Sequence, residues 1–368
     1  MFILELKKKI KYTYLYSTVY QNIKRYWQFY LSKINKVLNR SFIPDHKNII
    51  YIENTSKCNL KCKFCGYPKR NLDDHPLVDM DLEKFKNYVD QSTKMGFKNI
   101  GLTPVTGDIF MDKKIYDKFN YLEQNKIDFQ FFTNFILAKQ ERLNELFDYN
   151  HLKELHISIY GHDKETFIKF TDSNSVSYKK LIENLIYLES LLSTKKKEFI
   201  LLIGQRTSKD FFLSKDNSEL SRILKKIIQN HKVNYQYEFA FNNWGGLIKD
   251  DDITNLNIQF NKKPVKKNGA CSLIFAKNII GANGNLNACA CRDANFTLNI
   301  GNLNTDKLED ILSKKNDKYM ELIENQENGN FPDVCKTCDF YDSIYLNKKI
   351  TRNVKSLINK KEFFSKIQ

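Results

Sequence analysis

The sequence predicts an α/β protein: an open, TIM-like (β/α)6 barrel, preceded by a basic helical extension and followed by a smaller cysteine-bearing segment. Three observations predict it. Strand and helix patterns alternate from residue 49 to residue 241, which implies parallel strands joined by right-handed crossovers. Three of the eight cysteines, Cys58, Cys62 and Cys65, crowd the loop after the first strand, and barrels of this kind gather their chemistry at that end of the strands. The chain has 368 residues, 42% of them hydrophobic, enough to bury the core of one large domain and a smaller one.

In chain order, IIYIEN (49–54) reads as the first strand, and the apolar positions Leu82, Phe85, Val89 and Met95 make 81–96 a helix. KNIGLTPV (98–105) is the second strand, 113–125 a helix, DFQFFTN (128–134) the third strand, 140–150 a helix and LKELHISIYG (152–161) the fourth strand. A long helix at 177–192, the strand FILLIGQ (199–205), a helix at 218–231 and the strand VNYQYEFAF (233–241) complete the set. Polar or glycine residues close several strands: Gly107 and Asp108 after the second, Thr133 and Asn134 ending the third, Ser158 in the fourth and Arg206 after the fifth. These converge on one mouth with the cysteine loop. FNNWGG (241–246) reads as a turn out of the barrel, the role that paired glycines favour, with Asn243 or Trp244 in the pocket wall as the alternative.

The amino end has no short apolar run with a small-residue cleavage site, and no uncharged stretch approaches the roughly eighteen residues that span a bilayer. The expected address is the cytoplasm. In a reducing compartment, clustered cysteines point to metal or redox chemistry in place of disulfides. The +16 net charge sits mainly at the ends. Residues 1–42 hold nine Lys or Arg against Glu5, a net of +8, and residues 339–368 a net of +4. Such runs can simply be solvated tails. In the first of them, however, Leu15, Val19, Ile23, Trp27, Tyr30, Ile34 and Leu38 recur at helical spacing among Lys24, Arg25, Lys33, Lys36 and Arg40. A helix of that pattern suits an anionic membrane surface or an acidic carrier. No nucleic-acid recognition motif accompanies the charge.

Three thiolates from one short loop can hold three irons of a [4Fe-4S] cluster and leave the fourth without a protein ligand. Structural zinc wants four closed ligands, and His75, ten residues beyond Cys65, makes a poor fourth.

With its gaps of three and two residues, CNLKCKFC resembles the signature of the radical S-adenosylmethionine (SAM) superfamily. The resemblance covers roughly residues 48–247 and implies a partial barrel that binds SAM at the open iron. It implies that Phe64 is the aromatic residue facing the adenine side. TGDIFMD resembles the family's glycine-acidic motif, with Thr106-Gly107-Asp108 where Gly-Gly-Glu is usual; Gly107 and Asp108 would then meet the methionine amino group. Asn134 and Ser158 resemble the ribose and methionine contacts, and Arg206 stands where a carboxylate partner could sit.

Beyond a linker without clear periodicity, Cys271 opens a hairpin-like segment whose ANGN turn joins two short strands, and Cys335 and Cys338 follow a helix near 306–325. This resembles twitch, a shortened SPASM auxiliary-cluster domain. The resemblance implies one closed 4Fe-4S cluster on Cys271, Cys289, Cys335 and Cys338. Cys291 is left over as an alternative ligand to Cys289, a buried thiol or a hydrogen donor. Taken together, the expected organisation is an extension over 1–47, a core barrel over 48–247, a linker and small α+β auxiliary-cluster domain over 248–342, and a basic helical tail over 343–368.

The resemblance implies an enzyme that makes a 5′-deoxyadenosyl radical and abstracts hydrogen from a substrate C–H bond. The expected reaction is oxidation of a small polyhydroxylated molecule, such as a sugar, nucleotide-sugar or cyclitol, with the auxiliary cluster as electron acceptor. An external donor such as flavodoxin or ferredoxin would supply electrons. The alternatives are a peptide maturase, an epimerase with Cys291 as hydrogen donor, and a non-enzymatic zinc protein.

Overall fold

The computed structural model describes residues 21–44, 47–102, 105–260, 265–347 and 356–367. Six parallel strands form the barrel wall: β1 (Ile50–Ile52), β2 (Asn99–Leu102), β3 (Asp128–Thr133), β4 (Leu152–Tyr160), β5 (Ile200–Arg206) and β6 (Asn234–Glu238), each bonded to the next. The helices between them are α2 (Leu82–Lys94), α3 (Ile115–Gln124), α4 (Lys164–Thr171), α5 (Ser175–Thr194) and α6 (Glu219–Asn230), while α1 (Gln21–Val37) precedes the barrel.

Side-chain alternation separates the two faces of the wall. In β4, Leu155, Ile157 and Ile159 are buried beneath the helices, whereas His156, Ser158 and Tyr160 lie on the other, less buried face that lines the barrel. The helical layer supplies Phe85, Val89, Phe119, Leu185, Leu220, Leu224 and Ile227, all buried. Helix starts follow from short polar side chains that take orphan N–H groups: Asp81 caps α2, Asn174 caps α5 and Ser218 caps α6. Glycine is required at Gly101 of β2, where a Cβ would stand 2.5 Å from Tyr51 Cδ1, so its absence lets the Tyr51 ring lie across the barrel floor.

Several elements differ from the sequence reading. The segment expected as one helix over 140–150 is a short α-turn (Gln140–Leu143) running into a 3-10 turn (Asn144–Phe147). Helix α4 was not foreseen; its signal is a capping box in which Asp163 accepts from the Thr166 N–H. The stretch after the barrel is partly ordered, with a turn of helix at Asp250–Ile253 and Gln259–Phe260 paired parallel to Ala240–Phe241.

The larger difference lies in how the cysteine-rich segment joins the barrel. Its strands β7 (Ile279–Ile280), β8 (Asn285–Asn287) and β9 (Asn299–Asn302) continue the barrel sheet, giving the order β9-β8-β7-β1-β2-β3-β4-β5-β6. Strand β7 pairs parallel to β1, Ile280 opposite Ile52. Helix α7 (Asp317–Glu327) and the short helix α8 (Asp333–Thr337) complete this part. The C-terminal stretch is docked where it is described: Leu357–Ile358 pairs antiparallel with Ile43–Pro44, and Phe363 of α9 (Lys360–Lys366) packs edge-on against Phe275. The expected apolar positions Leu15 and Val19 lie outside the described residues.

Candidate functional site

The cysteine loop hangs from its surroundings by main-chain bonds. The Lys61 and Lys63 N–H groups donate to the Thr171 and Phe170 carbonyls, using acceptors that the end of α4 leaves without intrahelical partners. Asn134 Nδ2, at the end of β3, donates to Asn59 Oδ1 at 2.8 Å, and the Asp108 N–H donates to the Lys57 carbonyl. Helix α4 and the segments after β2 and β3 thereby anchor the loop that carries Cys58, Cys62 and Cys65.

Cys62 is buried, with Cys58 and Cys65 half-buried beside it. Burial pushes the Cys62 thiol well up, and the neighbouring Cys65 and Cys58 push it further. Cys65 is also raised by burial, against an N–H from Tyr67 and the charges of Arg206, Arg292 and Arg70. Three crowded thiols in this setting resist ionising alone and suit a cationic iron cluster that would share their charge. Among the described residues no three His, Cys, Asp or Glu side chains converge on a single-ion site.

Phe64 is buried among Tyr160, Phe170 and Phe241, with ring centroids 5.2, 5.9 and 4.7 Å away. Asp108 is buried, and its carboxylate accepts from the Thr133 hydroxyl at 3.0 Å, the Asn134 N–H at 2.6 Å and the Phe110 N–H at 3.0 Å. It ties the segment after β2 to the end of β3. Gly107 is half-buried beside it, Ser158 is half-buried and faces the barrel interior, and Arg206 ends β5 in an exposed position. Its charge reaches Cys62 and Cys65.

A second cavity is lined by Cys271, Cys289, Cys291, Cys335 and Cys338, with Arg292 and Tyr341. Cys271 is bridged to Ser343, and its N–H donates to Gln326 Oε1 at 2.8 Å. Cys335 Sγ accepts from Gln326 Nε2, and Cys338 Sγ from the Phe340 N–H. Such N–H···S contacts stabilise thiolates and help set cluster potentials. Cys289 and Cys291 both line this cavity. The Cys289 contact, with Lys277 and Arg292, holds the Cys291 thiol below its ordinary range, against burial.

Sequence reasoning missed four cations that these sites bring together. Lys267 lies near Cys338, Cys335 and Cys271, while Lys277 lies beside Tyr51 and Cys291. The Arg292 guanidinium sits over the rings of Trp244 and Phe340 at 5.3 and 4.5 Å. Arg70 is buried between Thr106, to which Nη1 donates at 3.2 Å, and the Tyr67 ring, and its Nε and Nη2 have no hydrogen-bond partner among the described residues. Position in the chain offered a signal for two of them: Arg292 follows Cys291 directly, and Arg70 lies five residues past Cys65.

His75 is occupied as a brace. Its Nε2 meets Glu53 Oε2 at 2.8 Å and its Nδ1 the Ala294 carbonyl at 3.0 Å, both side chains fully buried. Asn243 donates to the Thr337 carbonyl at 2.7 Å and so holds the Cys335–Cys338 loop. Trp244 starts a 3-10 turn through Gly246, and its ring packs between the barrel and the auxiliary segment.

The model of the Radical SAM superfamily matches residues 52–212, and that of SPASM, an iron–sulfur cluster-binding domain, matches residues 271–339. No curated protein matches the chain in sequence. Among solved structures, Streptococcus suis SuiB bound to precursor peptide SuiA is similar at 15% identity and a TM-score of 0.54, over 89% of this chain and 77% of that one. BtrN in complex with AdoMet and 2-DOIA is similar at 15% identity and a TM-score of 0.49, over 79% and 92%. Native anSMEcpe with bound AdoMet is similar at 13% identity and a TM-score of 0.48, over 87% and 95%. At 15% identity the likeness to SuiB concerns the fold alone.

Proposed function

We propose, for a chain that belongs to the radical SAM superfamily and carries a SPASM iron–sulfur cluster-binding domain behind its barrel, that it oxidises a small polyhydroxylated substrate such as a sugar, nucleotide-sugar or cyclitol. When bound, the 4Fe-4S cluster and SAM supply a 5′-deoxyadenosyl radical that takes a hydrogen atom from the substrate. Cys58, Cys62 and Cys65 would hold that cluster, with Gly107, Asp108, Asn134, Ser158, Arg206 and Phe64 around the cofactor.

The observation that carries the oxidative reading is the cavity lined by Cys271, Cys289, Cys291, Cys335 and Cys338. It offers enough thiolates to close an auxiliary cluster, and a closed cluster is suited to carrying electrons. A substrate radical has one more electron to lose, and these residues surround the place that would accept it. The Nε and Nη2 of Arg70, without hydrogen-bond partners among the described residues, favour a substrate rich in oxygen acceptors, because buried guanidinium N–H groups left unpaired are costly. Among the described residues the N-terminal extension is a single helix bonded to Tyr345 and Glu327, which supports a small substrate over a peptide. An external flavodoxin or ferredoxin would deliver electrons to the barrel cluster.

One observation favours a second reading. Cys291 lines the auxiliary cavity as a fifth thiol and lies near Lys277 and Tyr51, so if four others closed the cluster, its thiol could return a hydrogen atom and make the reaction a redox-neutral epimerisation.

The test is anaerobic turnover of the reconstituted enzyme with SAM, a reductant and a panel of nucleotide-sugars, cyclitols and synthetic peptides. Oxidation gives 5′-deoxyadenosine together with a product lighter by a pair of hydrogens. A product of unchanged mass selects epimerisation, and turnover of peptides alone overturns the small-molecule reading.

A further inference from the structure

Helix α1 packs with its amphipathic character turned outward. Asn35 and Ser32 are buried, where Asn35 Nδ2 donates to the Tyr345 carbonyl at 2.9 Å and Asn268 Nδ2 donates to Ser32 Oγ at 3.1 Å. On the same side Lys36 reaches the Glu327 carbonyl at 2.6 Å and its carboxylate at 3.5 Å. The polar face thus holds the helix to the auxiliary-cluster part.

The opposite face is apolar and exposed: Ile23 is 64% accessible, Trp27 69%, Tyr30 57% and Ile34 55%, continued by Val37 and Leu38. A water-soluble protein rarely presents so continuous an apolar strip unless something covers it. At 100° per residue, Lys24 falls on one edge of the strip and Lys33 on the other, with Arg40 just past the end of the helix. No Asp or Glu occurs between residues 21 and 42. Basic residues along both margins allow long side chains to reach outward while the apolar residues go in, and Trp and Tyr favour the level of lipid headgroups.

We propose that α1 docks the enzyme on an anionic phospholipid bilayer, with Ile23, Trp27, Tyr30 and Ile34 entering the interface and Lys24 and Lys33 pairing with headgroup phosphates. With one face held to the protein and the other apolar, the helix would lie in the plane of the surface; among the described residues no helix is long and apolar enough to cross a membrane. The charge of residues 1–42 decides the occupant: at +8 with a single acidic residue, the segment complements an anionic surface and repels a second copy of itself. The inference is independent of the reaction assigned to the barrel.

The test is co-sedimentation of the anaerobically purified full chain, both clusters loaded, with vesicles of phosphatidylcholine alone or with roughly a quarter phosphatidylglycerol. The wild type should bind the anionic vesicles and release as salt rises. The double variant Trp27→Ser/Ile34→Ser should lower vesicle binding about tenfold with SAM cleavage unchanged, and Lys24→Gln/Lys33→Gln should flatten the salt dependence. Equal binding by Trp27→Ser/Ile34→Ser and the wild type overturns the proposal. So does a wild type that ignores anionic vesicles; if it forms a dimer that the double variant abolishes, the occupant is a second copy.

Discussion

Gly66 packs against the indole of Trp244. A Cβ at position 66 would stand 3.1 Å from Trp244 Cε3 and 3.0 Å from the Ala294 Cβ. The residue after Cys65 therefore touches both the turn that leaves the barrel and the loop beyond Cys291. On its other side the indole meets the Arg292 guanidinium. The turn is locked in place by Gly245, at φ +64, where a Cβ would lie 2.5 Å from Val334 Cγ2 of α8.

Because one ring spans the contact between the two cysteine sites, Trp244→Ala should loosen their spacing more than either site itself. The expected cost is about 2 kcal/mol, below that of a fully buried aromatic because the ring is only partly enclosed. Product formation should fall while SAM cleavage persists, which parallel assays of 5′-deoxyadenosine and product would read. Tight coupling of the two yields in Trp244→Ala would refute the spacing role.

Replacing Cys58, Cys62 and Cys65 together by Ala should abolish reductive SAM cleavage and halve the iron content, since one of two four-iron clusters is lost. Iron and acid-labile sulfide analysis of the anaerobic protein checks it. Cleavage at the wild-type rate would remove these cysteines from the assignment.

Under the proposed assignment, in which the Cys338 thiolate would be one of four closing the auxiliary cluster, Cys338→Ala should lose that cluster and turnover yet retain some SAM cleavage. Cys291→Ala should keep both clusters and still form oxidised product. If it instead keeps both clusters, abstracts hydrogen and accumulates an unquenched radical or an off-pathway product, the epimerase reading replaces oxidation.

The unpartnered atoms of Arg70 predict a substrate contact. Arg70→Met should raise KM about tenfold or more, the size of a lost hydrogen bond to a charged group, and leave SAM cleavage without substrate unchanged. Arg70→Lys should recover part of the loss, limited by its single point charge. A KM that does not move in Arg70→Met would remove the residue from the pocket.

The order of the barrel was legible because its signals are local. Strand and helix periods, caps such as Asp81 and Ser218, and the spacing CNLKCKFC each depend on residues close in sequence. The expected strands match β1 to β6 within a few residues. Helix α4 was overlooked because its eight residues are too few to establish a period, although its capping box was present in the sequence. Asp108 was read as a cofactor contact from its motif, yet its present partners are Thr133 and main-chain N–H groups on neighbouring elements; no spacing rule encodes those meetings.

What the sequence determined by itself is therefore the succession of elements, the three-cysteine loop after the first strand and the amphipathic, basic character of the N-terminal helix. Tertiary structure decided what these face. It set β7 beside β1, so that the auxiliary cysteines share the barrel's sheet, and joined His75 and Glu53 in a buried brace reaching Ala294. It also turned the apolar side of α1 away from the protein, because Asn35, Ser32 and Lys36 found partners on the auxiliary segment. Hydrophobic periodicity establishes that a helix has two faces, but which one is buried depends on the hydrogen-bonding groups and charges opposite it, brought there by some 230 to 310 residues of intervening chain.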